Sequence, residues 1–428
     1  MSASPANLTV PSPLAPAING ERLWQRHFEL AKFGERPDGG VNRQALSKDD
    51  IEARNQIIAW AKPLGFKCAT DPMANLFVRK EGLNPSLPPI LIGSHLDSQP
   101  AGGKFDGAYG VLAALEVLTA MSETGLETEC PVELVAWTNE EGSRFAPGIS
   151  GSSAFAGLMP IDRLKAGCDA DGVTLNEALT AVLAASPELE LRPLGFPVAA
   201  YIEAHIEQGP VLQQEGCHVG IVTGIQGARW FNVDVVGRSE HAGTVPMSMR
   251  RDALKSMMSI VAALTDLTVD ETDTLRFTVG RVVVEPNSPN TVPGTVQFSI
   301  DLRHPDSTTL TDIGDKFAAI CKDHANGCDV SIEETLSMPP AIFDTRLVDL
   351  ISAAANDLEL KSMSLASGAF HDASAMNAVC PTGMIFVPCE GGLSHNPNEN
   401  TDPADLAAGA QLLASVVETC SKTDTFAT

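Results

Sequence analysis

Residues 87–97 read LPPILIGSHLD, and the fold class turns on how this stretch is read. Pro88 and Pro89 close off the preceding turn, residues 90–92 are an apolar run, and the chain becomes polar again at Ser94. A short apolar run bounded by turn residues is the signature of a buried strand, here expected over residues 89–93. Two further runs, at residues 132–137 and 200–204, end in the same way, in TNEEGSRF and HIEQG. A fourth strand, TGMIFVPC at 382–389, leads into GGLSHNPNEN. With helix-like segments between them, such as residues 49–64, the chain has an α/β rhythm. Ligand sites in open α/β sheets gather beyond the carboxyl ends of strands, so HLD, NEEG, HIEQG and SHNPNE are expected to converge on one cleft.

The rhythm changes between residues 226 and 336. FNVDVVG, a helix at 251–267, LRFTVGRVVV, VQFSIDLR, a helix at 310–324 and DVSIEETL follow in the order β-α-β-β-α-β. That is a ferredoxin-like unit able to fold by itself inside a larger body. The expected organisation is a flexible arm over 1–19, a main domain over 20–225 and 337–421 with a mixed sheet flanked by helices, and the inserted unit over 226–336. The Ser/Pro/Ala-rich arm has no helical or strand period.

Lys and Arg number 29 against 54 Asp and Glu, a formal charge of −25. Such a surface repels phosphate backbones and anionic membranes, so neither nucleic acid nor membrane is an expected partner. It also supplies oxygen ligands for divalent cations. The nine cysteines are an odd number with no CxxC pair, which argues against a disulfide framework and a thiolate zinc site. No apolar run has the length of a membrane span and the N-terminus lacks the pattern of a secretory signal, so a cytoplasmic location is expected.

His95 and Asp97 follow the first strand, and Asp97 is placed to fix the imidazole through its unligated nitrogen. Asp106 lies in GGKFDGAYG, where glycines allow tight packing around a carboxylate that can bridge two cations. Glu140 and Glu141 are adjacent at a strand end, so one can ligate metal while the other faces the reacting water. His205 and His395 complete a set of three imidazoles and two carboxylates, an N/O donor set favoured by zinc and tolerable to manganese, cobalt or nickel. Any one of these residues alone is more often a solvated turn or a core residue; the ordered set is what points to chemistry. His27, His218 and His324 lack such companions and are read as structural, and His304 stays open.

These motifs, with HAGTVPMSMRRDAL (241–254), PNSPNTVPG (286–294), the strand-end Arg303 and SGAFHDA (367–373), resemble the M20 metallopeptidase-related family. Within it they are similar to the hydantoinase/carbamoylase branch of N-carbamoyl-L-amino-acid hydrolases, β-ureidopropionases and allantoate amidohydrolases, over residues 20 to 420. The resemblance implies a di-metal catalytic domain and a lid domain that dimerises. It implies two divalent ions per chain, one held by His95 and His205, the other by Glu141 and His395, with Asp106 bridging and Glu140 as general base and then acid. His241, from the partner subunit, would polarise the scissile carbonyl, Asn290 and Arg303 would hold a substrate carboxylate, and Gln208 and Gly368 would line the pocket. Phe370 stands where a small residue is common in the family. The activity implied is hydrolysis of an N-carbamoyl amino acid. Its rivals are an allantoate-type or N-acyl amino acid hydrolase and a non-catalytic ligand-binding relative.

Overall fold

The apolar run at residue 90 forms the strand Ile90–His95, buried along its whole length. It pairs in parallel with Ala200–Ile206 on one side and Val132–Trp137 on the other. Thr382–Val387 extends the parallel set beyond Ala200–Ile206. Antiparallel strands continue the sheet outward, Leu76–Lys80 and Lys67–Thr70 at one side and Val219–Ile225 at the other. Both faces of the central strands are covered, which is why they read as near-continuous apolar runs rather than alternations. This computed structural model describes residues 12–422.

The helix Ala108–Thr124 is buried from Ala108 through Met121, so its apolar residues run all round it instead of along one stripe. Gly110 permits its close approach to the sheet: a Cβ there would stand 2.3 Å from the Ala204 carbonyl oxygen. The helix Pro403–Lys422 packs against it, and both share a core with Ile92, Leu134, Ile202 and Ile385. Each such side chain contributes about 1.5–3 kcal/mol by leaving water.

The expected flexible arm over 1–19 needs correction from residue 12 onward. Leu14 and Ile18 are buried in the main core, and the Ser12 hydroxyl and the Leu14 amide donate to Glu418 on the C-terminal helix. Two apolar side chains and a buried carboxylate hold a segment whose composition alone suggests mobility. Residues 1–11 lie outside the described residues.

Two compact units form among the described residues, one from residues 12–223 and 342–422, the other from Gly224–Ala341. In the smaller unit, Arg276–Glu285, Thr295–His304, Gly227–Val236 and Asp329–Met338 lie side by side in that order, all antiparallel. This is the ferredoxin-like arrangement. Alternate residues of Thr295–His304 are buried, and Phe298, Ile300 and Leu302 meet Ile260, Leu264 and Phe317 from the helices. The exit expected at residue 336 falls inside Asp329–Met338, because pairing with the first strand continues to Met338 opposite Ala228. The helix expected at 310–324 is two, Ser307–Gly314 and Phe317–Asp323. Glycine is a poor helix former, and here Arg229 seats against Gly314 while its Nη1 donates to the Thr311 carbonyl and to Asp315. No helix among the described residues is long and apolar enough to cross a membrane.

Candidate metal centre

The four polar strand ends meet. His95 ends its strand, Glu140 and Glu141 follow Val132–Trp137 by three and four residues, His205 is the penultimate residue of Ala200–Ile206, and His395 lies in the loop after Thr382–Val387. Asp106 enters from the turn that opens the helix Ala108–Thr124. Gly107 in that turn has φ +63°, and a Cβ on it would lie 2.3 Å from the His95 ring, so only glycine fits. Asn139, Gln208 and His395 are also left-handed, a conformation of modest cost that clusters at functional sites.

The histidine tautomers follow from their partners. His95 Nδ1 donates to the Asp97 carbonyl at 2.9 Å, and His205 Nδ1 donates to the Ile206 carbonyl at 2.9 Å. Because a carbonyl only accepts, Nε2 is the nitrogen that carries the lone pair in each neutral ring, and that of His205 accepts from the Gly107 amide at 3.1 Å. The Asp97 carboxylate, expected to orient His95, does something else: it accepts from the amides of Glu140 (3.3 Å) and Glu141 (3.2 Å), while its backbone carbonyl holds the imidazole. Its oxygen is 3.8 Å from His95 Nδ1, beyond a hydrogen bond.

Asp106 faces two ways. Its Oδ1 is 3.6 Å from His95 Nε2 and 3.2 Å from His205 Nε2. Its Oδ2 is 3.5 Å from His395 Nε2, which is itself 3.3 Å from Glu141 Oε2. Tetrahedral coordination with bonds of about 2.0–2.1 Å puts neighbouring ligand atoms about 3.3–3.4 Å apart. Most of these separations are long for charge-assisted hydrogen bonds and right for the edges of two coordination shells that share Asp106. The donor chemistry agrees. Asp106 accepts from Gln208 Nε2 (2.8 Å) and Ser394 Oγ (2.7 Å), and Glu141 from the amide and side chain of Gln99 (3.1 and 2.7 Å). These donors are neutral, so they leave the buried negative charge to be balanced by cations. The residues therefore fit a pair of divalent ions.

Proton affinities carry the same imprint. Burial disfavours charged His95, but the carboxylates of Glu140, Asp106 and Asp97 outweigh it and raise its pKa well above the usual value. Burial would raise Asp106, yet His205 and His95 hold it well below the carboxylate range. Glu140 is pushed well above that range by burial, with Asp372, Glu141 and Asp97 adding to the effect against the pull of His95. Burial and then Asp106 raise Glu141 to about 8. Glu140 Oε2 lies 3.6 Å from His95 Nε2, beside the cluster and outside both groups of ligand atoms.

Of the residues expected to line a pocket, Gln208 is bonded to Asp106, and Gly368 is exposed with open space where a side chain would be. His241, Asn290 and Arg303 lie in the smaller unit. Thr291 pairs with His241, and the Asn290 carbonyl accepts from Ala242, so His241 and Asn290 are neighbours. Arg303 sits at the other end of Thr295–His304, eight residues from Thr295, which is about 27 Å of strand. One copy of the unit does not bring Asn290 and Arg303 together. The Arg303 fork is engaged by Asp301, with Nη2 at 2.8 Å.

Several residues escaped sequence reading. Glu203 accepts from Ser94 Oγ (2.6 Å) and the Ala373 amide (2.8 Å), and with His205 and His371 forms a third buried group with ligand potential. The His371 ring lies against His205, tilted by 60° with ring centroids 4.5 Å apart, and Asp372 accepts from Ser152. SGAFHDA contains both residues, but only the fold reveals that His371 backs onto His205. Of the remaining histidines, His27 is in the core, His218 pairs with Asp405, His324 meets Ser259, and His304 accepts from the Asp306 amide.

The model of peptidase family M20/M25/M40 matches residues 91–419. An N-carbamoyl-L-amino-acid amidohydrolase of Rhizobium meliloti is 38% identical over 401 residues, covering 92% of this chain and 95% of that protein. The allantoate amidohydrolase of Escherichia coli strain K12 is 35% identical over 392 residues, covering 90% and 94%. Among solved structures, a hydantoinase/carbamoylase family amidase from Burkholderia multivorans is 40% identical with a TM-score of 0.90, covering 95% of this chain and 98% of that one.

Proposed function

The chain belongs to peptidase family M20/M25/M40, and from that premise we propose that it hydrolyses the carbamoyl C–N bond of an N-carbamoyl amino acid, α or β. Water adds to the ureido carbonyl and the bond to the amino-acid nitrogen breaks. The free amino acid leaves, and the carbamic acid decomposes to carbon dioxide and ammonia. The names of the relatives support the bond type, and the observation that carries the mechanism is the division between adjacent glutamates. Glu141 faces His395, while Glu140 is buried beside His95 with a raised proton affinity.

His95, His205 and Asp106 would hold one divalent ion, and Asp106, Glu141 and His395 the other, with zinc the best match and manganese, cobalt or nickel acceptable. Bound there, the ions supply positive charge that acidifies a water and polarises the carbonyl. Glu140 takes a proton from the attacking water and returns it to the leaving nitrogen, a role its raised affinity suits. His241 donates to the developing oxyanion, and Arg303 offers a planar fork for the substrate carboxylate. Asn290, on the His241 end of the smaller unit, serves the same substrate only if a second copy supplies that end, so we read the functional unit as a homodimer built through the smaller unit. Gln208 and Gly368 line the pocket.

An allantoate-type reaction is the second reading, favoured by the 35% identical relative from Escherichia coli. Assays on N-carbamoyl-L-α-amino acids, N-carbamoyl-β-alanine, allantoate and N-acyl amino acids separate the two. Turnover of the carbamoyl compounds is expected; turnover confined to allantoate or to N-acyl substrates would overturn the first reading.

A further inference from the structure

Glu399 lies outside the ligand set yet is almost fully buried beside it, 2% exposed. Its Oε1 accepts from the backbone amides of both Phe105 (2.8 Å) and Asp106 (3.0 Å). Its Oε2 is 3.4 Å from Ser394 Oγ, which is 2.7 Å from Asp106 Oδ2 and directly precedes His395. Ser394 has one hydroxyl hydrogen, and the shorter contact to Asp106 takes it. The carbonyls of Phe105 and Asp106 already feed the first turn of the following helix, accepting from Tyr109 and Ala108. Their amides would be orphaned without Glu399. The space for this carboxylate is made by Gly103: a Cβ there would lie 2.1 Å from Glu399 Cδ and Oε1.

We propose that Glu399 is a positioning residue that clamps the Asp106 turn to the His395 loop, so that the bridging carboxylate and His395 are presented together to the second cation. The inference rests on the metal-centre reading above. A carboxylate almost three hundred residues from Asp106 aligns both, because it accepts from the Phe105 and Asp106 amides and sits four residues after His395 in the same loop. Charge is not what the clamp requires. In Glu399→Gln the retained oxygen still takes both amides, and the new Nε2 donates to Ser394 Oγ, which keeps its bond to Asp106. Glu399→Ala removes the clamp. Gly103→Ala displaces it while leaving Glu399 in the chain, and the backbone at Gly103 is not in the left-handed region that would strain an alanine.

The test is zinc binding to the metal-stripped full chain, titrated against a chromophoric chelator, with cobalt(II) absorption as a signature of ligand geometry and circular dichroism as the check on folding. Partners that orient metal ligands are worth about 10–100-fold in affinity, so Glu399→Ala and Gly103→Ala should weaken one of two zinc ions by that factor and alter the cobalt bands, whereas Glu399→Gln should stay within about threefold of the parent. Parent-like binding of both ions by Gly103→Ala, or by folded Glu399→Ala, overturns the inference. Equal impairment of Glu399→Gln and Glu399→Ala overturns it too, since charge would then be what matters. If Glu399→Ala does not fold, Gly103→Ala decides. A parent chain that binds fewer than two zinc ions refutes the metal-centre reading itself, a failure recognisable without any variant.

Discussion

Removing the metal should make the protein less stable as pH rises, and Glu141 sets the size of the effect. In the metal-free site burial and the neighbouring Asp106 hold Glu141 at about 8, against an ordinary value of 4.5. The folded value lies above the unfolded one. Between these pH values the folded chain therefore keeps a proton that the unfolded chain has released, and stability falls with increasing pH. One proton corresponds to about 1.4 kcal/mol per pH unit, or about 5 kcal/mol over the whole window. Glu141→Gln cannot titrate. Urea unfolding of both chelator-treated proteins between pH 5 and 8 should show the variant gaining about 4 kcal/mol on the parent across that range. Divalent metal should reverse the order, because ionised Glu141 then has a cation to meet. A parent–variant difference that stays flat with pH, without metal, would mean that Glu141 does not hold its proton in the folded chain.

His27 carries the opposite sign. Burial, against the pull of its bond to the Leu23 carbonyl, lowers it from 6.5 to about 4. The unfolded chain takes up a proton first as pH falls through that window, so up to about 3 kcal/mol of stability is lost there. Unfolding curves of His27→Phe should be flatter than those of the parent from pH 6.5 to 4; parallel curves would count against this. Gly107→Ala should drive the His95 ring from its place, since the new Cβ would stand 2.3 Å from it. Reduced bound zinc with an unchanged circular dichroism spectrum is the expected result, and full zinc content the contrary one. If His241 acts across a dimer, mixing inactive His241→Ala and inactive Glu140→Gln chains should regain activity. Verified mixed dimers without it would place His241 in its own subunit.

The strand ends were legible because burial on both faces leaves only apolar residues in the parallel strands, and each chemical cluster begins where the apolar run stops. His95, Glu140, Glu141, His205 and His395 stand out for that reason, and Asp106 by its glycines. The ferredoxin-like order was legible from alternation such as that of Thr295–His304. What stayed hidden depended on contacts between segments far apart in sequence. Nothing local in LSHNPNE says that Glu399 reaches the Phe105–Asp106 backbone, or that the Asp97 carboxylate holds the Glu140–Glu141 turn instead of His95. Glu203 and His371 sit in stretches whose patterns read as strand and loop. The break after Gly314 needed Arg229 from another strand, and the anchoring of Leu14 needed Glu418 from the far end of the chain.

We propose that two metal-binding clusters serve one proton-carrying glutamate in carbamoyl hydrolysis. The most direct measurement is turnover of an N-carbamoyl-L-amino acid by zinc-loaded parent and Glu140→Gln at matched metal content, following amino acid and ammonia together. The parent should release the two products equally, and the variant should turn over about 10²–10⁴-fold more slowly with both ions retained. Parent-like turnover by Glu140→Gln with its metal intact would contradict that role for Glu140.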